Sequence, residues 1–170
     1  FPTVSDKTKS AFTHQQEQAR PGYYQVLLDD EGIQAELTAS VRVGVHRYTY
    51  PQGKEARLWL DLDHSANKGS WNRRIIQSQI RIISPTEVEG YRIITGWAKL
   101  RKIYFHIEFS KPIHFSEFHD GGRKYKNTPV INGTDLHGLF TFDMRQDQEL
   151  VCKVALSPVS IENARLNMSK

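Results

Sequence analysis

In Ile33-Gln34-Ala35-Glu36-Leu37-Thr38-Ala39, apolar and polar residues alternate without a break. Successive side chains of an extended strand point to opposite faces, so this spacing puts Ile33, Ala35, Leu37 and Ala39 on one face and rules out a helical stripe. Outward from this stretch the same period recurs. Val41, Val43 and Val45 continue it; Ala56-Arg57-Leu58-Trp59-Leu60-Asp61-Leu62 turns Leu58, Leu60 and Leu62 inward; and Ile103-Tyr104-Phe105-His106-Ile107-Glu108-Phe109 repeats the alternation. Leu150, Cys152, Val154 and Leu156 form another inward row. Residues 24–28, 75–83, 87–94 and 139–142 are rich in β-branched and aromatic side chains, which suit a pleated, half-buried surface.

Turn-forming residues separate these runs at short intervals. Asp29-Asp30-Glu31-Gly32 and Pro51-Gln52-Gly53-Lys54 read as tight connections, and residues 63–72 and 120–133 as longer loops. About nine or ten short strands with no helical segments between them argue for an antiparallel sandwich or barrel; of these, an all-β, antiparallel two-sheet β-sandwich of about nine to twelve strands is the expectation. One helix is expected, at the end: Ser160 is placed to cap residues 161–168, with Glu162 in the first turn and Pro158 stopping the strand before it.

The chain has 170 residues, enough for one domain with a sizeable core. No run of about 18 apolar residues exists to form a membrane-spanning helix. The net charge of +4 comes from 23 basic and 19 acidic residues that are interspersed, which argues against a dedicated nucleic-acid surface. Cys152 is the only cysteine and has no internal partner for a disulfide. The opening Phe1-Pro2-Thr3-Val4 is neither an initiator methionine nor a leader, so the chain reads as a mature form or an excised piece.

The residues themselves offer little chemistry. His114 and His119 are five apart, a spacing that matches no common zinc motif, so they read as part of a polar edge strand. Asp61, Asp63 and His64 lack a nearby third ligand type and read as solvated loop residues. Asn132-Gly133-Thr134 and Asn167-Met168-Ser169 match a glycosylation pattern too short to carry weight. Trp71, in a polar loop with Asn67, Lys68, Gly69 and Ser70, is the tryptophan best placed to stack on a sugar. Trp59 reads as packing.

Four stretches, in order, resemble glycoside hydrolase family 92. They are Phe12-Thr13-His14-Gln15-Gln16-Glu17 leading into Pro21-Gly22-Tyr23-Tyr24-Gln25-Val26; residues 36–40 with Arg42-Val43-Gly44-Val45-His46-Arg47-Tyr48; Phe109-Ser110-Lys111-Pro112; and residues 157–167. The chain departs from the family pattern at Thr13, Gln15 and Gln16, where the family carries serine, glutamate and asparagine, but it keeps His14 and Glu17.

This resemblance implies a galactose-mutarotase-like supersandwich joined to a C-terminal (α/α)6 catalytic barrel. The whole enzyme is expected to be secreted, periplasmic or cell-surface. Its expected activity is calcium-dependent, inverting exo-α-mannosidase action on N-glycan-type mannosides. Residues 1–158 are then a sandwich lacking the upstream part of the family domain, and residues 159–170 the truncated start of the linker helix. The resemblance places the general acid, the base and the calcium ligands in the catalytic domain. No catalytic residue, metal or cofactor is therefore expected here, and the segment alone is expected to be inactive. His14, Glu17 and Trp71 are the candidates for substrate or domain-interface contact, and exposed sheet edges would favour self-association. The competing readings are a stand-alone carbohydrate-binding β-sandwich and a purely structural one.

Overall fold

The computed structural model describes residues 1–64, 74–96 and 98–169. Its described residues form two antiparallel sheets and one short α-helix. The strands are β1 (Pro2–Thr3), β2 (Glu17–Arg20), β3 (Tyr23–Leu28), β4 (Ile33–Ala39), β5 (Val43–Thr49), β6 (Ala56–Asp61), β7 (Arg74–Ser84), β8 (Glu87–Thr95), β9 (Arg101–Phe109), β10 (Ile113–Asp120), β11 (Arg123–Lys126), β12 (Val130–Gly133), β13 (Leu136–Phe142) and β14 (Glu149–Ser157), followed by α1 (Ile161–Met168). The larger sheet runs β12-β7-β8-β9-β14-β5-β4-β3-β2, and the smaller β1-β6-β13-β10-β11. Fourteen strands exceed the expected nine to twelve because several are only two to four residues long.

The alternation read from the sequence sets the core. Val26, Leu28, Ile33, Ala35, Tyr48, Leu150, Cys152, Phe105, Ile107 and Phe109 line the inner face of the large sheet, and Leu58, Phe118, Leu136, Phe140 and Phe142 face them from the small one. Phe109 sits 5.0 Å from Phe142 and 5.8 Å from Phe140, ring to ring, joining the two layers. Aromatic pairs in such tilted and edge-on geometries add about 0.5–1.5 kcal/mol beyond the area they bury.

Several sequence expectations change. Ser40–Arg42 turns the chain between β4 and β5, so Val41 is 96% exposed and the valine row does not continue. Val43 pairs with Ala155 on the outer face, the parity opposite to His46 and Tyr48. Residues 120–133 are not a plain loop: β11 leaves the Gly121-Gly122 turn to pair with β10, and β12 then crosses to pair with β7 in the other sheet. β10 is consequently an inner strand of the small sheet, and β11 is the edge. The stretch before Pro21 contributes a strand of its own, β2. Pro21-Gly22 turns β2 back onto β3, with Gly22 at φ +77, a conformation glycine adopts without a Cβ clash.

The terminal helix has a packing partner. The Ser160 hydroxyl accepts from the amide of Asn163, as its capping position predicts. α1 lies on the outer face of the large sheet over β14, β9 and β8. Ala164 is buried there, Asn167 donates to the carbonyl of Leu156, and Arg165 reaches Glu89. Burial of Asn167 in that bond removes it as a glycosylation acceptor in the folded chain. Among the described residues no helix is long and apolar enough to cross a membrane.

Candidate functional site

The His14–Glu17 region forms at the β2 edge of the large sheet. A single 3-10 turn, His14–Gln16, delivers the chain into β2. Glu17 pairs with Val26, so its side chain falls on the inner-face parity beside Tyr24. Its two oxygens are both used: the Tyr24 hydroxyl donates to Oε1 at 2.6 Å, and His14 Nδ1 lies 2.5 Å from Oε2. Those bonds, Tyr24 first and then His14, hold the Glu17 carboxyl below its ordinary range, and the same bond raises the Tyr24 hydroxyl. The His14 side chain is 89% exposed, with its ring edge-on to Phe12 at 5.7 Å. An exposed imidazole fixed by a carboxylate is a presented group, ready to meet a surface or a ligand.

Glu17 does not pair with Arg20. The two are three apart on a strand and point to opposite faces; Arg20 instead stacks over the Tyr23 ring at 4.7 Å on the outer side. Next along that outer face, Arg47 clasps Glu36 through two bonds of 2.7 Å, and the Tyr23 hydroxyl lies 2.6 Å from the same carboxylate. The structure brings His14 and Glu17 together; Trp71 lies outside the described residues, as does Trp97.

Beside this corner, the inner face of the large sheet runs on beyond the small sheet. Ala39, Gly44, His46, Val154 and Leu156 line an open groove of about 660 Å3 between the Ser40–Arg42 turn and the start of α1. Leu156 is 54% exposed although it continues the inward row of Leu150 and Cys152. Val41 and Val159, both exposed, stand at the rim. Sequence alternation identified Leu156 as inward but carried no sign of where the second layer would stop.

On the outer face of the small sheet, Asp61 finds a partner the sequence reading missed. Its Oδ1 accepts from the amides of Asp63 and His64, and His137 Nε2 lies 3.3 Å away. Burial alone would raise the Asp61 carboxyl, yet His137 and the two amides together bring it down to about 2. The bond to Asp61 in turn raises His137. Trp59 packs edge-on against His119 at 5.0 Å and His137 at 6.3 Å, in keeping with a packing role. His119 Nε2 lies 2.7 Å from Glu117 Oε1. The residue that would have revealed the Asp61 pair lies 76 positions downstream, and only the β6–β13 register joins the two.

The comparisons fit this architecture. The glycosyl hydrolase family 92 N-terminal domain matches residues 2–157. The chain belongs to that family. A family 92 alpha-mannosidase from Bacteroides thetaiotaomicron is 31% identical over 94% of this chain and 22% of its own, with a TM-score of 0.85. A family 92 glycosyl hydrolase is 26% identical over 97% of this chain and 24% of its own, at 0.77. An inverting family 92 mannosidase from Bacteroides thetaiotaomicron shares the fold at 23% identity, over 99% of this chain and 22% of its own, at 0.80. The family 92 chain thus spans between a fifth and a quarter of the length of these solved relatives. Among curated proteins none matches it.

The calcium implied by the family has no fitting cage among the described residues of this domain. Calcium takes about six to eight oxygen ligands. The one cluster of metal-ligating side chains found among the described residues, Glu87, His106 and Glu108, offers two carboxylates and an imidazole.

Proposed function

We propose that this domain is the accessory sandwich of a secreted or cell-surface exo-α-mannosidase that removes terminal α-mannose from N-glycan-type mannosides with inversion. The observation that carries the reading is the family match over residues 2–157, together with 31% identity to an alpha-mannosidase across nearly the whole chain. Inversion requires an acid and a base roughly 6.5–9.5 Å apart across the scissile bond. In this reading both belong to the catalytic domain, as does the calcium. The relatives carry most of their length outside the matched segment, which leaves room for that domain.

The sandwich then has two tasks. Its groove beside α1, with exposed Leu156, Val41 and Val159, offers an apolar seat for the catalytic domain. The His14–Glu17 pair at the neighbouring sheet edge frames the substrate entrance or braces the domain contact, with Tyr24 setting the position of the glutamate. Trp71 is retained as a sugar-stacking candidate. A stand-alone sugar-binding module gains no support from the exposed aromatic residues among those described: Phe12 lies in no strand, ahead of β2, and Tyr125 lies on β11 of the small sheet.

The test is mannose release from an α-mannoside by the full-length parent protein and by the 170-residue chain. Activity is expected from the parent only, and calcium removal should abolish it. His14→Ala and Glu17→Ala in the parent should each lower kcat/KM by about tenfold or more. Mannose release by the isolated chain, or a parent inactive on every α-mannoside tried, would defeat the proposal. Unchanged kinetics in both variants would remove the role given to the pair.

A further inference from the structure

We propose that Glu87, His106 and Glu108 form a binding site for a zinc-class divalent metal ion on the outer face of the large sheet, beside α1. The residues come together through register. Glu87 pairs with Glu108 and Glu89 with His106 across β8 and β9, so all four side chains share one face, opposite to Phe105, Ile107 and Phe109. One ligand atom from each of Glu87, His106 and Glu108 lies within 4.8 Å of the other two.

The imidazole is the informative member. His106 is 4% exposed, yet its buried Nδ1 has no hydrogen-bond partner. Leaving a buried polar atom unsatisfied is costly, so a native position of this kind asks for a reason. Nε2 stands 3.8 Å from Glu108 Oε1, and Nδ1 stands 3.9 Å from Glu89 Oε2. Both gaps are too long for a hydrogen bond. Ligand atoms around a tetrahedral zinc ion at ordinary bond lengths are separated by about 3.4 Å, so an ion binding here would draw in the partly exposed Glu87 and Glu108 from separations of up to 4.8 Å.

The opposite side of the ring supplies the support such sites use. A histidine that binds metal through one nitrogen commonly donates its other N–H to a carboxylate, which fixes the tautomer and the ring orientation. Glu89 is placed for this on the Nδ1 side, and it is fully buried and held by Arg81 and Arg165. With Nε2 on the metal the ring proton sits on Nδ1, which faces the buried Glu89 carboxylate across 3.9 Å, so a small shift of the ring toward Glu89 would complete that bond. Lys153 lies 3.9 Å from the other Glu108 oxygen, leaving Oε1 for the ion. One imidazole and two carboxylates suit zinc or a neighbouring first-row ion, with water completing the shell, and do not suit calcium. Metal binding here would run against the expectation that the segment holds none. It is independent of the mannosidase reading: its residues lie on β8 and β9, and none of them lines the groove or belongs to the His14–Glu17 pair.

The experiment is calorimetric titration of the metal-free 170-residue chain with zinc alone, repeated with cobalt to read its visible absorption and with calcium. One zinc per chain is expected, with cobalt giving a low-coordinate spectrum and calcium not competing. Glu87→Gln and Glu108→Gln should each weaken zinc binding by at least about tenfold, and His106→Gln should abolish it. The two glutamate variants, at partly exposed positions, decide the matter even if His106→Gln does not fold. His14→Gln and His137→Gln should leave the affinity unchanged. No zinc binding by the folded chain, binding unaltered in both glutamate variants, or binding lost with His14 or His137 instead would overturn the proposal.

Discussion

Arg165 on α1 donates through Nε to Oε2 of the fully buried Glu89 on β8, at 2.7 Å. This bond ties the C-terminal helix to the middle of the large sheet. Arg81, from β7, holds the other carboxylate oxygen, so the buried charge is neutralised from two sides. A carboxylate at this depth is tolerable only because both partners are present. Arg165→Ala should therefore destabilise the chain by about 1–3 kcal/mol, with α1 loosening first. Denaturant unfolding read alongside hydrogen exchange of the α1 amides checks this. Equal exchange in both proteins would show that the helix is held by packing alone.

Gly90, next along β8, marks the closest approach of backbone to backbone in this region. A Cβ there would stand 1.9 Å from the carbonyl oxygen of Gln79 and 2.7 Å from Phe105 Cζ. The first obstacle is main chain in the neighbouring strand, which has no side-chain freedom to yield. Gly90→Ala is expected to cost about 3 kcal/mol or more, at or beyond the upper end of ordinary overpacking. A fall in thermal midpoint of less than a few degrees would show that β7 and β8 separate more readily than their register implies.

What the sequence disclosed, and what it withheld, divides along the range of the interaction. Alternation in residues 33–39, 56–62 and 103–109 made the sandwich legible, because each strand's burial pattern is written into its own neighbours. The cap at Ser160 was legible for the same reason. The placement of Val41 depended on a turn that breaks parity, and the pairing of Asp61 with His137 on a register set by distant strands. The exposure of Leu156 depended on where a second layer ends. The Glu87–His106–Glu108 cluster combines both: His106 and Glu108 share a face by simple spacing, but Glu87 arrives only through the β8–β9 hairpin. Of the candidate site residues, His14 and Glu17 were found by likeness to a family, and their bond to each other emerges only once β2 is formed.

The Asp61–His137 pair predicts a stability plateau with two edges. The Asp61 carboxyl is depressed from 3.8 to about 2, so its contribution is present above about pH 3.8 and is lost as the pH falls toward 2. His137 is raised above 6.5, so its contribution is complete below 6.5 and is lost as the pH climbs through the raised value. These are two views of one interaction, charged on both partners between the edges. The stability difference between the native chain and His137→Gln should be greatest from about pH 4 to 6 and should shrink on either side. Urea unfolding across pH 2 to 9 measures it, and a difference independent of pH would mean that the 3.3 Å contact carries no charge-linked energy.

The groove beside α1 sets the behaviour of the isolated chain. Leu156 is exposed there on the inner face of a sheet that elsewhere is covered by Leu58, Phe140 and Phe142, and Val159 is exposed at the rim. Apolar surface of this kind draws in whatever apolar partner is available. For the 170-residue chain by itself, the available partner is a second copy. A net charge of +4 over 170 residues opposes association weakly, because charges are screened within about 8 Å at physiological salt. The unpaired edge of β2 lies on the same sheet and offers further free amides and carbonyls. The 170-residue chain is thus expected to dimerise or associate further as its concentration rises, and the double variant Leu156→Ser, Val159→Ser to remain monomeric. Light scattering across a concentration series separates the outcomes. Association that persists unchanged in the double variant would move the contact from the groove to the β2 edge, and a native chain monomeric at hundreds of micromolar would show that the exposed leucine and valine are too few to hold two copies together.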